Sequence, residues 1–320
     1  MNPKLKNSLS AIALMLFCGI VEAWPDKAIT IIVPTAAGGG NDGMARILAQ
    51  RLAVKFGQSV IVDNKAGGNG AIASEHVARA TPDGHTILFG YIATHGINPA
   101  LQKLRYDPVA DFEPIGMVAE SPTVMVVNAE VTAQSAKDVV RILKSKPGSL
   151  SFASAGNGTA PHFAGELFKL STGTDMLHVP YKGSGPAMMD TIGGTTQVMF
   201  PSLFAASPHV KSGKLRMVGV AGDNRVAAWK DVPTLAEQGI KEVSIKQWYA
   251  LFAPAKTPKA IVERLNKELN AVLSEPDVVK RLAEQGSEVE TSTPAELKAF
   301  VQVEIARWRK VVSAAKITAD

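Results

Sequence analysis

Apolar positions fall into two alternating rhythms along this chain. Residues 29–33, Ile-Thr-Ile-Ile-Val, are all β-branched and predict a buried parallel strand. Residues 44–56 carry apolar side chains at helical spacing, and a strand at 60–63, a helix at 72–80 and a strand at 86–90 follow. That βαβαβ unit predicts a parallel sheet with helices on both faces. The cycle restarts after Pro122, with strands expected at 124–128, 149–154, 177–181, 197–200 and 217–221 and helices between them. One more strand, 248–253, precedes a helical tail. There Thr257-Pro258 and Thr293-Pro294 each place an N-cap threonine before a proline at the first helical position. Glu296 completes a capping box with Thr293. Ile261, Val262, Leu265, Leu269, Val272 and Leu273 form one apolar stripe, which reads as a packing face.

The expected architecture is therefore α/β, with two parallel-sheet domains. The tail should return to the first sheet, so that domain 1 comprises residues 24–124 and 246–320 and domain 2 residues 125–245. The crossings near 122–126 and 243–248 would then serve as a hinge.

The start of the chain follows a different pattern. Lys4 and Lys6 precede an apolar run at 11–20, and Val21-Glu22-Ala23 offers small residues for a signal peptidase. The run is shorter than the ~20 apolar residues that span a bilayer. Residues 1–23 are thus expected to be a leader cut after Ala23, making the protein periplasmic. Cys18, the single cysteine, would leave with the leader, and Phe17 before it argues against a lipid-modified cysteine. A mature chain without thiols suits an exported protein large enough to rely on its core. Losing the leader takes the formal net charge from +5 to +4. These charges are dispersed and form no basic stripe with interleaved aromatics, so nucleic acid is not an expected partner. The full sequence, 46% hydrophobic and 20% charged, is ordinary for a globule.

Candidate chemistry lies in glycine-rich turns. In "IIVPTAAGGGNDGMARILAQ", Gly38, Gly40 and Gly43 satisfy G-x-G-x-x-G, and Asp63 ends the next strand at dinucleotide-fingerprint distance. Pro34-Thr35-Ala36-Ala37 separates strand from glycines, however, where that fingerprint turns at once. No G-K-[ST] is present, so the phosphate-cradling P-loop is absent as well. What remains is general physics: glycines let backbone N–H groups approach a bound group, and a helix start favours negative charge. A tight turn with no ligand explains this stretch alone equally well. Two further turns of the same kind, "VDNKAGGNGAIAS" and "SFASAGNGTAPHFAGELFK", also lie at strand ends. Ligands of open parallel sheets sit beyond the carboxyl ends of strands. Three such turns, from both halves, predict a clamp on a small polar ligand.

The stretches "WPDKAITIIVPTAAGGGNDGMAR", "ATPDGHTILFG", "INPALQKLRYDPVADFEPIG", "HVPYKGSGPAMMDTIGG" and "DVPTLAEQG" resemble the solute-binding proteins of the tripartite tricarboxylate transporter system, the Bug family. The resemblance covers essentially the whole mature chain. It implies a periplasmic binding protein type II-like fold that closes on an organic acid. It also implies delivery to membrane permease subunits, without catalysis, cofactor or metal. Carried over by position, Thr35, Ala36, Gly38, Gly39 and Asp42 would cradle a carboxylate, with Asn64, Gly67 and Gly68 helping from the same domain. Ser154, Gly156, Thr159 and His162 would face the ligand from the other domain, with Asp190 at its distal end. Tyr91, Thr94 and Ser202 would tune selectivity, and Tyr91 and Phe200 are either aromatic stacking partners or core. Lys65-Ala66-Gly67-Gly68-Asn69-Gly70 stands where the family usually reads R-P-G-A-G-G.

Several residues also have structural readings. His162 and Glu166 lie one helical turn apart, yet no third metal ligand has suitable spacing. Asp42 is acidic at a helix start, where it is favoured in any case, and Asp190 can tie down its own helix. Tyr181-Lys182-Gly183 reads as a clamp or as scaffold. The alternative function is an exported enzyme acting on a small organic acid. Against it, G-x-S-x-G and H-E-x-x-H are absent, and no cysteine nucleophile survives processing. A monomer is expected.

Overall fold

The computed structural model describes residues 24–315, so the expected leader, its cleavage after Ala23 and Cys18 lie outside the described residues. Strand β1 (Ile29–Val33), helix α1 (Gly40–Phe56), β2 (Val60–Asn64), α2 (Ala71–Ala78) and β3 (Thr86–Tyr91) form the first unit. β1 lies between β2 and β3 and runs parallel to both. α1 begins ahead of the apolar periodicity, because its first turn, Gly40-Asn41-Asp42, is buried without being apolar.

The largest departure from the sequence pattern is β4 (Phe112–Asn128). Only its last five residues were expected, since Pro114, Gly116 and Pro122 read as breaks. They are accommodated because pairing with β9 (Lys246–Pro254) shifts register between Pro114 and Gly116 and again between Met117 and Ala119. Bulges are where a strand tolerates proline and glycine. β4 pairs antiparallel with β9 as far as Pro122, then with β8 (Leu215–Ala221) from Thr123 onward. One strand therefore serves both halves of the molecule.

Between these elements run α3 (Asn98–Leu101), α4 (Ala136–Ser145), β5 (Ser151–Ser154), α5 (Ala160–Thr172), β6 (Leu177–Pro180), α6 (Ser184–Ile192), β7 (Val198–Met199) and α7 (Leu203–Lys211). β5 lies between β6 and β7, parallel to both. The sheet order is β2-β1-β3-β9-β4-β7-β5-β6. Parallel sets thus occupy the two outer ends, and antiparallel β9, β4 and β8 join them, where the periodicity predicted parallel sheets throughout. A buried apolar run looks the same whichever way its neighbour runs, so the pattern carried no direction.

The tail consists of α8 (Lys259–Leu273), α9 (Pro276–Glu284), β10 (Glu288–Val289) and α10 (Pro294–Ala315). It returns to the first half, with α8 and α10 packed on β4. Val262, Leu265, Leu269, Val272 and Leu273 of the expected stripe are buried. Trp248 on β9 and Trp308 on α10 both donate their indole N–H to the buried Glu304, at 2.9 and 3.2 Å. The Thr293–Glu296 capping box is formed in both directions. At α8 the cap is one residue later than expected: Pro258 is the N-cap, and the Thr257 hydroxyl turns back to donate to the Pro254 carbonyl at 2.7 Å.

Candidate functional site

The parallel strands of both halves aim their carboxyl ends at one cleft of about 730 Å³. From the first half, β1 and β2 end in turns that contribute Pro34, Thr35, Gly67, Gly68, Asn69 and Gly70 to its wall. From the second, β5 and β6 contribute Ala155, Gly156, Asn157, Tyr181, Lys182 and Gly183. Among the described residues, Lys182 is the one charged side chain in this lining. Thr35 Oγ1 is buried and has no hydrogen-bond partner there.

The turn after β2 is made possible by its glycines. Gly67, Gly68, Asn69 and Gly70 have φ of 131, 55, 53 and 87°, a succession that residues with side chains rarely adopt. Asn69 braces it: its Nδ2 donates to Asn98 Oδ1 at 2.7 Å, and its Oδ1 accepts from the Tyr91 hydroxyl at 3.2 Å. Tyr91 is thereby fixed at the cleft edge with little exposure.

Of the first glycine turn, Thr35 lines the cleft, while Ala36, Gly38 and Gly39 meet the other half beside it. The Ala36 N–H donates to the Lys182 carbonyl of the other half at 3.2 Å. Gly39 has an ordinary φ of −93°, and a Cβ there would stand 3.3 Å from the Gly185 nitrogen. A Cβ on Gly185 would lie 2.4 Å from the Ala37 carbonyl oxygen. Ala36, Gly38 and Gly39 thus form a backbone-to-backbone seam with the start of α6, beside the cleft lining. Asp42 is committed locally as well. Its carboxylate accepts from the Gly38 N–H at 3.0 Å and from Arg46 Nε at 3.0 Å. Burial acts to raise its pKa, but bonds from Arg46, Gly38 and Asn64 outweigh that and hold it below the usual carboxylate range. Asn64 Nδ2 donates to the Thr35 carbonyl at 3.0 Å, tying the two turns together.

On the opposite wall, Gly156 reaches the cleft while its expected companions stand behind it. The Ser154 hydroxyl accepts from the Gly156 N–H at 3.1 Å and lies 2.6 Å from His178 Nε2. Thr159 Oγ1 donates to the Gly156 carbonyl at 2.6 Å, and His162 Nδ1 accepts from the Gly158 N–H at 3.1 Å. The His162 and His178 rings stack at 4.3 Å. Ser154, Thr159 and His162 are buried, so they shape the loop from the protein side. The Ser154 hydroxyl also lies 3.2 Å from the Gly156 carbonyl, to which it donates within its own loop. Asp190 accepts from the Tyr181 hydroxyl at 2.7 Å. Thr94 is fully buried, with its hydroxyl exchanging bonds with the Tyr91 backbone. Ser202 caps α7, and Phe200 packs in the core against Phe152 and Phe168.

The histidine stack has a pH signature. Burial first, then His162 and Lys169, push His178 down to about 3, and burial lowers His162 too. Unfolded, both titrate near ~6.5. Below that the unfolded chain binds protons the folded one resists, so stability is complete above pH ~6.5 and is lost as pH falls toward about 3. Thermal melts from pH 7 to 4 should show a shallower decline for His178→Gln than for the parent. Equal slopes would remove the stack from this account.

Asn69, Asn157, Leu101 and Gln102 line the cleft and were not anticipated from the sequence. Asn69 and Asn157 lie inside the quoted glycine turns and were legible as polar turn residues. Leu101 ends α3 and Gln102 follows it; neither gave a signal, nor did His178 within its strand.

Residues 44–317 match the tripartite tricarboxylate transporter family receptor. The chain is also similar to the periplasmic binding protein BugD, at 33% identity and a TM-score of 0.89 over 92% of this chain and 99% of that one. An R. palustris protein solved with adipate matches at 33% identity and a TM-score of 0.89, covering 92% and 99%. MatC from Rhodopseudomonas palustris, with bound malate, matches at 33% identity and 0.85, covering 90% and 100%.

Proposed function

The chain belongs to the tripartite tricarboxylate transporter receptor (Bug) family, and on that footing we propose that it is a periplasmic solute-binding protein for a small organic acid. The acid is held in the cleft between the two halves and handed to the membrane permease of a tripartite transporter. The observation that carries this reading is the cleft itself. Strand-end turns of both halves wall about 730 Å³, and Lys182 is the one charged residue in this lining among the described residues. Relatives of the same fold hold adipate and malate, which are acids of the size such a cleft admits.

Thr35, Gly67, Gly68, Tyr91 and Gly156 are the ligand-facing residues in this reading. Ala36, Gly38, Gly39, Asp42, Asn64, Thr94, Ser154, Thr159, His162, Asp190 and Ser202 support them from behind or seal the seam. Residues 24–124 with 246–320, and 125–245, are the two domains. The change of partner along β4, from β9 to β8 near Pro122, supports a hinge there. The protein acts as a monomer without catalysis, exported with a leader cut after Ala23. N-terminal sequencing of the exported protein tests the cleavage.

A thermal-shift screen of di-, tri- and monocarboxylates tests the function. A true ligand at ~100 times its dissociation constant should stabilise by roughly 2.7 kcal/mol. Turnover of a bound acid would restore the enzyme alternative, and a panel without any shift would remove the carboxylate reading.

A further inference from the structure

The apolar side chains of the cleft wall differ in how firmly they are held. Pro34, Pro180 and Pro186 are rings closed on their own backbone. The two tyrosines are pinned at their hydroxyls, Tyr91 to Asn69 Oδ1 at 3.2 Å and Tyr181 to Asp190 at 2.7 Å. Leu101 is different. Among the described residues it is the one leucine in this lining, which holds no isoleucine, valine or methionine. It carries no polar atom in its side chain, so only packing holds it in place.

Its backbone, by contrast, is fixed. Leu101 ends α3, whose first residue, Asn98, is tied twice to the turn after β2. Asn98 Nδ2 donates to the Asn69 carbonyl at 2.9 Å, and Asn98 Oδ1 accepts from Asn69 Nδ2 at 2.7 Å. From that position the Leu101 side chain lies against the other half at Gly158. A Cβ on Gly158 would stand 2.6 Å from Leu101 Cδ2 and 3.2 Å from Asn69 Nδ2. Glycine there therefore lets the two halves meet across Leu101. This meeting point is separate from the seam that Ala36 and Gly39 form with Lys182 and Gly185. Leu101 thus walls the cleft and touches the opposite half at once. A ligand too bulky to lie beside it must push it aside and disturb its contact with Gly158.

We propose that Leu101 is a specificity-determining residue that sets how large a carbon body the bound acid can carry. This rests on the carboxylate-binding reading above and deepens it. Leu101 is half-buried, so removing Cγ, Cδ1 and Cδ2 opens space at the cleft wall that a ligand can fill, where the same change in the core would leave a closed cavity. A bulkier side chain takes the same space away.

The test is calorimetric titration of the parent, Leu101→Ala, Leu101→Phe and Leu101→Met against two size series, succinate through suberate and benzoate through 3-phenylpropionate. In Leu101→Ala the preferred acid should become longer. Its affinity relative to the parent's preferred acid should rise about tenfold or more, the discrimination that a methylene gives in an apolar pocket. Leu101→Phe should shift the preference toward shorter acids, and Leu101→Met, of similar volume, should keep the parental order. The same size order in the parent, alanine and phenylalanine proteins would overturn the proposal. Equal weakening of every acid would overturn it too, because that is the result of a purely structural role beside Asn98. A parent that binds only acids outside both series would overturn it while leaving the function intact. If no acid binds the parent, the functional reading fails first and this proposal with it.

Discussion

Gly185→Ala is expected to cost the protein roughly a hundredfold in ligand affinity while leaving the unliganded fold as stable as before, or more so. The added methyl would sit 2.4 Å from the Ala37 carbonyl oxygen and 3.2 Å from the Gly38 carbonyl carbon. Both are backbone atoms of the other half, so no rotamer relieves the contact. The halves must instead stand apart, and the Ala36 to Lys182 hydrogen bond stretches with them. Overpacking of this kind costs about 1–3 kcal/mol, the upper end of which is a factor of roughly a hundred in Kd. Gly185 lies in the first turn of α6 without a positive φ, so alanine, a better helix former by up to ~1 kcal/mol, should not harm the helix. Calorimetry should therefore show weak binding by a protein that melts normally. Small-angle scattering should show that the parent contracts on binding and the variant does not. Gly39→Val, on the facing turn, should act in the same direction but more mildly, since its Cβ meets the Gly185 nitrogen only at 3.3 Å. Parental affinity in Gly185→Ala would mean that the seam is not part of the bound state.

Trp248→Ala is expected to have the largest effect on stability. Trp248 is 2% exposed on β9, meets Phe300 of α10 edge-on at 5.2 Å and donates to Glu304 at 2.9 Å. Its removal leaves a cavity between the central strand and the returning tail, which costs about 3–5 kcal/mol. For a chain of this size that is on the order of a 10 °C fall in melting temperature. Glu304 would keep Trp308 and Arg307 as donors, so the loss should come mainly from packing. Trp248→Phe, which retains most of the volume, should recover more than half of the loss. If the alanine variant melts within about a degree of the parent, the tail is not held by this contact.

Glycine turns were visible in the sequence because glycine at a strand end is a local signal; what each turn touches is not local. Gly67, Gly68 and Gly70 serve a backbone that runs through positive φ, which their composition foretold. Gly39 looked identical in the sequence, yet it is extended and is small for a different reason: another turn, more than 140 residues away, lies against it. Asp42 and Asp190 looked equally able to face a ligand or to hold their own helices. In the structure Asp42 binds Arg46 on its own helix and Asp190 accepts from Tyr181, which lies outside its helix; only Arg46 was near enough in sequence to suggest its contact.

By itself, the sequence determined the α/β class, the positions of most strands and helices, the apolar stripe of α8, the capping box of α10 and the three glycine turns. All of these follow from periodicity or from residues within a few positions of one another, so short-range physics suffices to read them. The tertiary structure alone decided that β4 runs unbroken through two prolines, that β9 joins antiparallel, and that the first glycine turn seals a seam. It also brought Thr35 of one half and Lys182 of the other into the wall of one cleft. Those outcomes depend on which distant backbone arrives at hydrogen-bonding distance, and a linear pattern of polar and apolar residues does not specify that.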